Sequence, residues 1–377
     1  TKGKAGLEAT ENYYLMQSSV SETEKLSNSQ NGQKNPGDSV YTTLRVDLQQ
    51  TAYDALGVYK GAVVVTEVST GKVLAMVSKP DFDPNEIDGI WDKITKEENN
   101  SVLVNRVTNG KYPPGSTFKI LTALEYIREY PQNLNRYEFQ CNGSYIYEGN
   151  TINCYHHMKH GTVDFTTSFA KSCNSSFANI GMQLDREKFE KTLRDLYFNE
   201  KLPAGISVGS STMSFSKTTG DYETMQTVIG QGNTLMTPMH LNMLTAAIAN
   251  QGKMMQPYLM DCVKRADGQT VKQNKPKVGA EQLITGEEAA ELTRLMTQVV
   301  EEGTATRLSG LDYTVAGKTG SAEYNDVKGE SHAWFTGFAP VENPEIAVTI
   351  ILEGAGSGGD HAVPIAKRIF DCYFAED

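Results

Sequence analysis

Residues 61–68 (Gly-Ala-Val-Val-Val-Thr-Glu-Val) and 72–78 (Lys-Val-Leu-Ala-Met-Val-Ser) flank a Ser-Thr-Gly turn, and three more short β-type runs come near the other end, at 313–316, 333–338 and 346–352. The first pair reads as an antiparallel hairpin around a tight glycine turn. The later runs are separated by Gly, Asn and Pro signals. Hairpin and late strands together make one antiparallel five-stranded sheet, so the long middle of the chain must be an insertion. Apolar residues at helical spacing (Leu44, Leu48, Ala52, Ala55, Leu56) predict a helix over 44–58 closed by Gly57, and residues 363–374 form a second amphipathic helix to cover a sheet face. Helical patterns in the middle fall at 117–129, 186–196, 238–250 and 286–301. The expected class is α/β of the α+β type: a sheet flanked by helices plus an inserted all-helical subdomain. Its boundaries are about 41–82 and 303–377 for the sheet part and 83–302 for the helical part. Residues 1–40, rich in Ser, Asn, Gln, Gly and Lys without a sustained period, read as a linker or a fragment of a preceding module.

A chain of 377 residues with 39% hydrophobic and 21% charged residues buries a substantial core. A net charge of −11 and the absence of a Lys/Arg run exclude nucleic acid as a partner. No stretch reaches the roughly 18 apolar residues of a membrane span. Thr1–Glu8 carry no signal-peptide core, and a chain without an initiator Met is expected to be an ectodomain separated from its anchor. Among the five cysteines, Cys141 and Cys154 bracket a turn-rich segment. They read as a disulfide closing a small loop, as two reduced thiols, or as zinc ligands with His156, His157 or His160, although the spacing matches no common zinc pattern.

Tyr112-Pro-Pro-Gly-Ser-Thr-Phe-Lys119 carries most of the chemical information, because two prolines and a glycine stop one element just before a helical pattern begins. Ser116 then sits at a helix N-terminus, where free backbone N–H groups stabilise an oxyanion. Lys119 lies three residues on, on the same helix face. A serine hydroxyl needs a base, and a lysine serves as one only when burial or a second cation lowers its pKa. Alone, Ser-x-x-Lys is weak: Ser69/Lys72, Ser168/Lys171 and Ser214/Lys217 repeat it. Two further segments add weight. Ser172-Cys173-Asn174 offers a relay hydroxyl and a substrate-binding amide. Lys318-Thr319-Gly320-Ser321, at the end of a β-type run, presents a cation, two hydroxyls and a glycine that admits a close backbone approach. Such an edge pairs with an extended peptide while Lys318 attracts its carboxylate. Ser-x-x-Lys, a Ser-x-Asn type motif and Lys-Thr-Gly form the signature shared by β-lactamases and penicillin-binding proteins, and here they occur in that order.

From about residue 39 onward the chain resembles the class B, monofunctional penicillin-binding transpeptidases. Lys60-Gly-Ala-Val-Val-Val, His160-Gly161, Gly230-Gln-Gly232 with Thr237-Pro238, and Trp334-Phe-Thr-Gly-Phe-Ala-Pro340 extend the likeness. The resemblance implies that Ser116 is acylated, Lys119 is its base, Ser172 relays a proton and Asn174 holds the substrate amide. It further implies that Lys318, Thr319, Gly320 and Ser321 form the carboxylate-recognition strand, with N–H groups of Ser116 and Ser321 as oxyanion hole. Ser321 stands where Thr is usual, and Cys173 occupies the variable position of its motif.

The implied reaction is attack on the penultimate D-Ala carbonyl of a peptidoglycan stem peptide, release of D-Ala and acyl transfer to an amine of a neighbouring stem. No cofactor is needed, and β-lactam antibiotics are expected to trap the acyl enzyme. The resemblance also implies a membrane-bound glycan polymerase of the shape, elongation, division and sporulation family as partner. It places the catalytic domain outside the bacterial cell membrane, with residues 1–40 a linker or a remnant of an N-terminal pedestal. A D,D-carboxypeptidase shares the motifs and differs in its acceptor. A β-lactamase is disfavoured, because no Glu-x-x-Leu-Asn sequence supplies the deacylating base. A β-lactam receptor domain remains as a non-catalytic reading.

Overall fold

The computed structural model describes residues 6–96, 101–323 and 331–375. Helix α1 (Val46–Leu56) buries Leu48, Ala52 and Leu56 and stops at Gly57, whose φ of 52° suits glycine. Strands β1 (Gly61–Glu67) and β2 (Val73–Lys79) form the expected hairpin. The late strands are β3 (Ala316–Glu323), β4 (Ser331–Ala339) and β5 (Ile346–Leu352). All five pair antiparallel in the order β3-β4-β5-β1-β2, so the two ends of the chain meet where Val63 pairs with Ile350. Every residue of β4 and β5 is buried, which requires cover on both sheet faces.

The long inserted region supplies α2 (Lys119–Glu129), α3 (Phe165–Ala170), α4 (Asn174–Gln183), α5 (Pro238–Ala249) and α6 (Gly286–Glu301). After the sheet, α7 (Val363–Phe374) packs with α1 on one sheet face. Helix α5 covers the other through a buried polar seam. There Asn242 accepts from Thr66 at 2.7 Å and donates to the Ala347 carbonyl at 3.2 Å, while Thr245 meets Thr336 at 2.7 Å. Each group finds a partner, so the seam fixes the docking of α5 without an orphaned polar atom.

Two expectations are corrected. The run at 313–316 is not the strand: β3 begins at Ala316 and carries Lys318–Ser321 through its middle, because the full ladder with β4 outweighs the poor β propensity of its glycines. The inserted region is not wholly helical. Glu138–Cys141 pairs with Gly161–Asp164, Ser144–Tyr147 with Asn150–Asn153, and Met260–Lys264 lies between Ser39–Thr42 and Thr270–Gln273. These strands are too short and too polar to show a period. Ahead of the sheet, the described residues 6–40 carry short helices at Asn12–Met16 and Glu22–Gln30 with no buried residue, and Asp38 accepts from the Ser19 hydroxyl at 2.7 Å. Among the described residues no helix is long and apolar enough to cross a membrane.

Candidate active site

The Pro-Pro-Gly turn breaks the chain just ahead of α2, and residues Gly115–Phe118 form one tight 3-10 turn that runs into the helix. Gly115 has φ 53°, and a Cβ there would lie 2.9 Å from the Ser321 carbonyl oxygen, so the nucleophile turn is pressed against β3. Its N–H donates to Gly230 O at 2.9 Å. A Cβ on Gly230 would lie 2.0 Å from Gly115 O, which only glycine avoids. From the sheet side, Trp334 Nε1 donates to Pro113 O at 3.0 Å. Tyr112 donates to Glu353 at 2.8 Å, and Glu353 pairs with the buried Arg106 at 2.7 Å. Ser116 is thereby held half-buried beside the third motif. A Cβ on Gly320 would meet Pro114 O and Thr117 Cγ2, each at 3.1 Å. The close neighbour that this glycine admits is therefore the nucleophile turn itself.

Lys119 is fully buried. Its Nζ donates to Ser172 O and Asn174 Oδ1, each at 2.7 Å, and lies 3.3 Å from Ser172 Oγ. From the sheet side, Lys318 Nζ reaches the same Ser172 Oγ at 3.0 Å and its neighbour's carbonyl, Thr319 O, at 3.1 Å. One hydroxyl thus stands between two buried amines. Burial pulls the Lys119 amine down to about 8. Lys318 is lowered well below the usual lysine range by burial, with the charge of Lys119 adding to the effect. Ser172 has φ 56°, a left-handed conformation that a serine adopts only where its surroundings hold it. Asn174 opens α4 and donates through Nδ2 to Asn153 O at 3.0 Å.

The competing Ser-x-x-Lys pairs separate on burial. Lys72 is half-buried, and Lys171 and Lys217 are exposed. Ser168 is buried against Ser176 at 2.6 Å and packs the core. Thr319 is 5% exposed and its hydroxyl lies 2.5 Å from that of Thr304, a residue the motifs did not flag. Ser321 Oγ accepts from Gly358 N at 3.3 Å.

Of the three readings of the cysteine loop, the structure departs from the disulfide. All five are free, and the 3.6 Å between Cys141 and Cys154 Sγ is far from the ~2.05 Å of a disulfide. Cys141, Cys154, His160 and Cys173 converge, with their ligand atoms within 4.8 Å of one another. His156 is outside this group, in a short turn with its ring against Tyr155. Cys173 was missed because it lies in another motif and joins the loop only through the fold. The S–H of Cys173, with His160 and Ser175, pulls the Cys154 thiol well down.

The fold and the meeting of three motifs around Ser172 and the nucleophile turn define the class of serine enzymes that recognise penicillin. The model of the penicillin-binding protein transpeptidase domain matches residues 61–371, and this chain belongs to that family. It is 30% identical over 354 residues to the peptidoglycan D,D-transpeptidase PbpA of Mycolicibacterium smegmatis, covering 88% of this chain and 71% of the relative. Penicillin-binding protein A of M. tuberculosis, solved as a ceftriaxone acyl-enzyme complex, superposes with a TM-score of 0.84 at 27% identity, over 93% of this chain and 83% of that one. A further similar structure comes from a peptidoglycan synthase complex that coordinates polymerization and crosslinking. It has a TM-score of 0.79 and 25% identity, over 91% of this chain and 64% of that one.

Proposed function

We propose that this protein is a class B peptidoglycan D,D-transpeptidase acting through an acyl ester on Ser116. The observation that carries the reading is Ser172 Oγ, which lies 3.3 Å from the Lys119 amine and 3.0 Å from that of Lys318. An uncharged Lys119 takes the Ser116 proton as Oγ bonds to the penultimate D-Ala carbonyl carbon. The oxyanion is received by the N–H groups of Ser116 and Ser321. Collapse breaks the peptide bond, and the departing D-Ala amine takes a proton through Ser172. An acceptor amine then attacks the ester, gives its proton to the same base and restores the Ser116 hydroxyl. Asn174 holds the donor amide, while Lys318, Thr319 and Ser321 receive the terminal carboxylate. Intact-mass measurement with benzylpenicillin tests the reading: one stable adduct is expected in the wild type and none in Ser116→Ala. Product analysis with a D-amino acid acceptor separates crosslinking from carboxypeptidase action, which yields only hydrolysis. Turnover of the adduct within seconds would indicate a β-lactamase. The resemblance further supports β-lactam sensitivity, a catalytic domain held outside the bacterial cell membrane, and a glycan polymerase as partner.

The cysteine cluster supports a tetrahedral metal site of Cys141, Cys154, His160 and Cys173, in place of the disulfide. Zn–S bonds of ~2.3 Å and Zn–N bonds of ~2.05 Å at tetrahedral angles give S···S edges of about 3.8 Å and S···N edges of about 3.5 Å. Three of the six edges are close to these values, 3.6 and 3.7 Å between sulfurs and 3.4 Å from Cys141 Sγ to His160 Nδ1, and all four donor atoms lie within 4.8 Å of one another. Three thiolates and an imidazole suit zinc, and a closed set of four protein ligands is structural. Zinc would supply charge to hold the thiolates together and tie the ribbons around Cys141 and Cys154 to the loop bearing Ser172. Metal analysis of the purified protein tests this: one equivalent of zinc is expected, and a metal-free protein with unchanged stability rejects it.

A further inference from the structure

The chain between α6 and β3 passes the third motif at Thr304, and its path there is closely set. A Cβ on Gly303 would lie 2.3 Å from Ala170 O, at the end of the helix just before Ser172. On the other side, a Cβ on Gly359 would lie 2.7 Å from Thr304 O. Thr304 is thus clamped between the segment leading to the second motif and the turn that also feeds Gly358 N to Ser321 Oγ. Its exposed side chain meets the nearly buried Thr319 hydroxyl at 2.5 Å.

Either hydroxyl can donate in the isolated pair, but a bound carboxylate decides the direction. A carboxylate only accepts, so Thr319 must give its single proton to the ligand and can only accept from Thr304. The chain of bonds runs from Thr304 O–H to Thr319 Oγ1, and from Thr319 O–H to the carboxylate, each bond polarising the next. Resting on the reading of Thr319 as a carboxylate ligand, we propose that Thr304 is a positioning residue for substrate recognition. It holds the Thr319 hydroxyl in the rotamer that presents its proton to the terminal carboxylate of the donor peptide or a β-lactam.

The test is a double-mutant cycle read as second-order acylation by benzylpenicillin in Thr304→Val, Thr304→Ser, Thr319→Val and the double variant Thr304→Val/Thr319→Val, with melting temperatures alongside. Loss of one hydrogen bond in a charge-assisted chain predicts about tenfold slower acylation for Thr304→Val. Thr304→Ser, which keeps the hydroxyl, should stay within about threefold of wild type on the same scale. The double variant should be no slower than Thr319→Val alone, because Thr304 acts only through Thr319. Benzylpenicillin methyl ester, which lacks the carboxylate, should react equally with wild type and Thr304→Val, whereas a general loosening of the cleft slows both ligands. Additive effects in the double variant, equal slowing of the ester, or a Thr304→Val protein as fast as wild type overturns the proposal. If Thr319→Val acylates at the wild-type rate, the carboxylate role of Thr319 fails first, and the proposal falls with it for a separately visible reason.

Discussion

Replacing Lys119 by Met removes the proposed base while keeping a long, flexible side chain in a fully buried slot. General-base assistance is worth about 10²- to 10⁴-fold, so penicillin acylation should fall by that factor, or about 3–5 kcal/mol of barrier. Stability should change far less. The Ser172 carbonyl and Asn174 Oδ1 each lose a donor now at 2.7 Å, at a cost of about 1–3 kcal/mol apiece. Against this, the wild-type amine is lowered from 10.5 to about 8 by burial. That corresponds to about 3 kcal/mol of native-state destabilisation near neutral pH, which the variant escapes. Because the folded pKa is the lower one, this penalty is full below pH about 8 and disappears as pH rises toward the unfolded value. The two sides roughly cancel, and the melting temperature should move by only a few degrees. In stopped-flow acylation at subsaturating penicillin, the wild-type rate should rise about fivefold from pH 7 to 8 as the amine deprotonates, and this limb should vanish in the variant. A Lys119→Met protein that acylates within tenfold of wild type, or retains the same pH dependence, refutes the assignment of the base.

Ser116→Ala should give no penicillin adduct by intact mass, with a melting temperature close to wild type, since a half-buried hydroxyl at the cleft contributes little to the core. Gly230→Ala places a Cβ 2.0 Å from Gly115 O at a φ of 76°, so it should lower stability by about 2 kcal/mol or more and slow acylation by displacing the nucleophile turn, both measured on the same preparation. A chelator should lower the melting temperature and release about one equivalent of zinc, as expected for a closed four-ligand site, whereas a reductant should leave the melting temperature unchanged. Cys173→Ser should weaken zinc retention, and it should also slow acylation because Cys173 lies between Ser172 and Asn174.

Much of this molecule is legible in the linear chain. The hairpin, the late strands β4 and β5, and helices such as α5, α6 and α7 announce themselves through long apolar periods and clear stops, since local propensity and burial agree there. The three motifs name Ser116, Lys119, Ser172, Asn174 and Lys318 as candidates because each chemical role demands a particular residue type. The start of strand β3 is not legible in the chain, because its glycines have low β propensity and only pairing with β4 holds them extended. The short ribbons around Cys141 and Cys154 escaped because four-residue strands are below the reach of any period.

What the chain determined on its own was which residues can act as nucleophile, base and cation, and which segments must be helix or sheet, because those follow from side-chain chemistry and local periodicity. Tertiary structure alone decided which of four Ser-x-x-Lys pairs is buried beside a second cation. It brought Cys173 from the second motif to Cys141, Cys154 and His160, left His156 outside, and set Thr304 against Thr319. Burial, the depression of an amine's proton affinity and the meeting of atoms from distant segments are properties of packing. No local pattern encodes them.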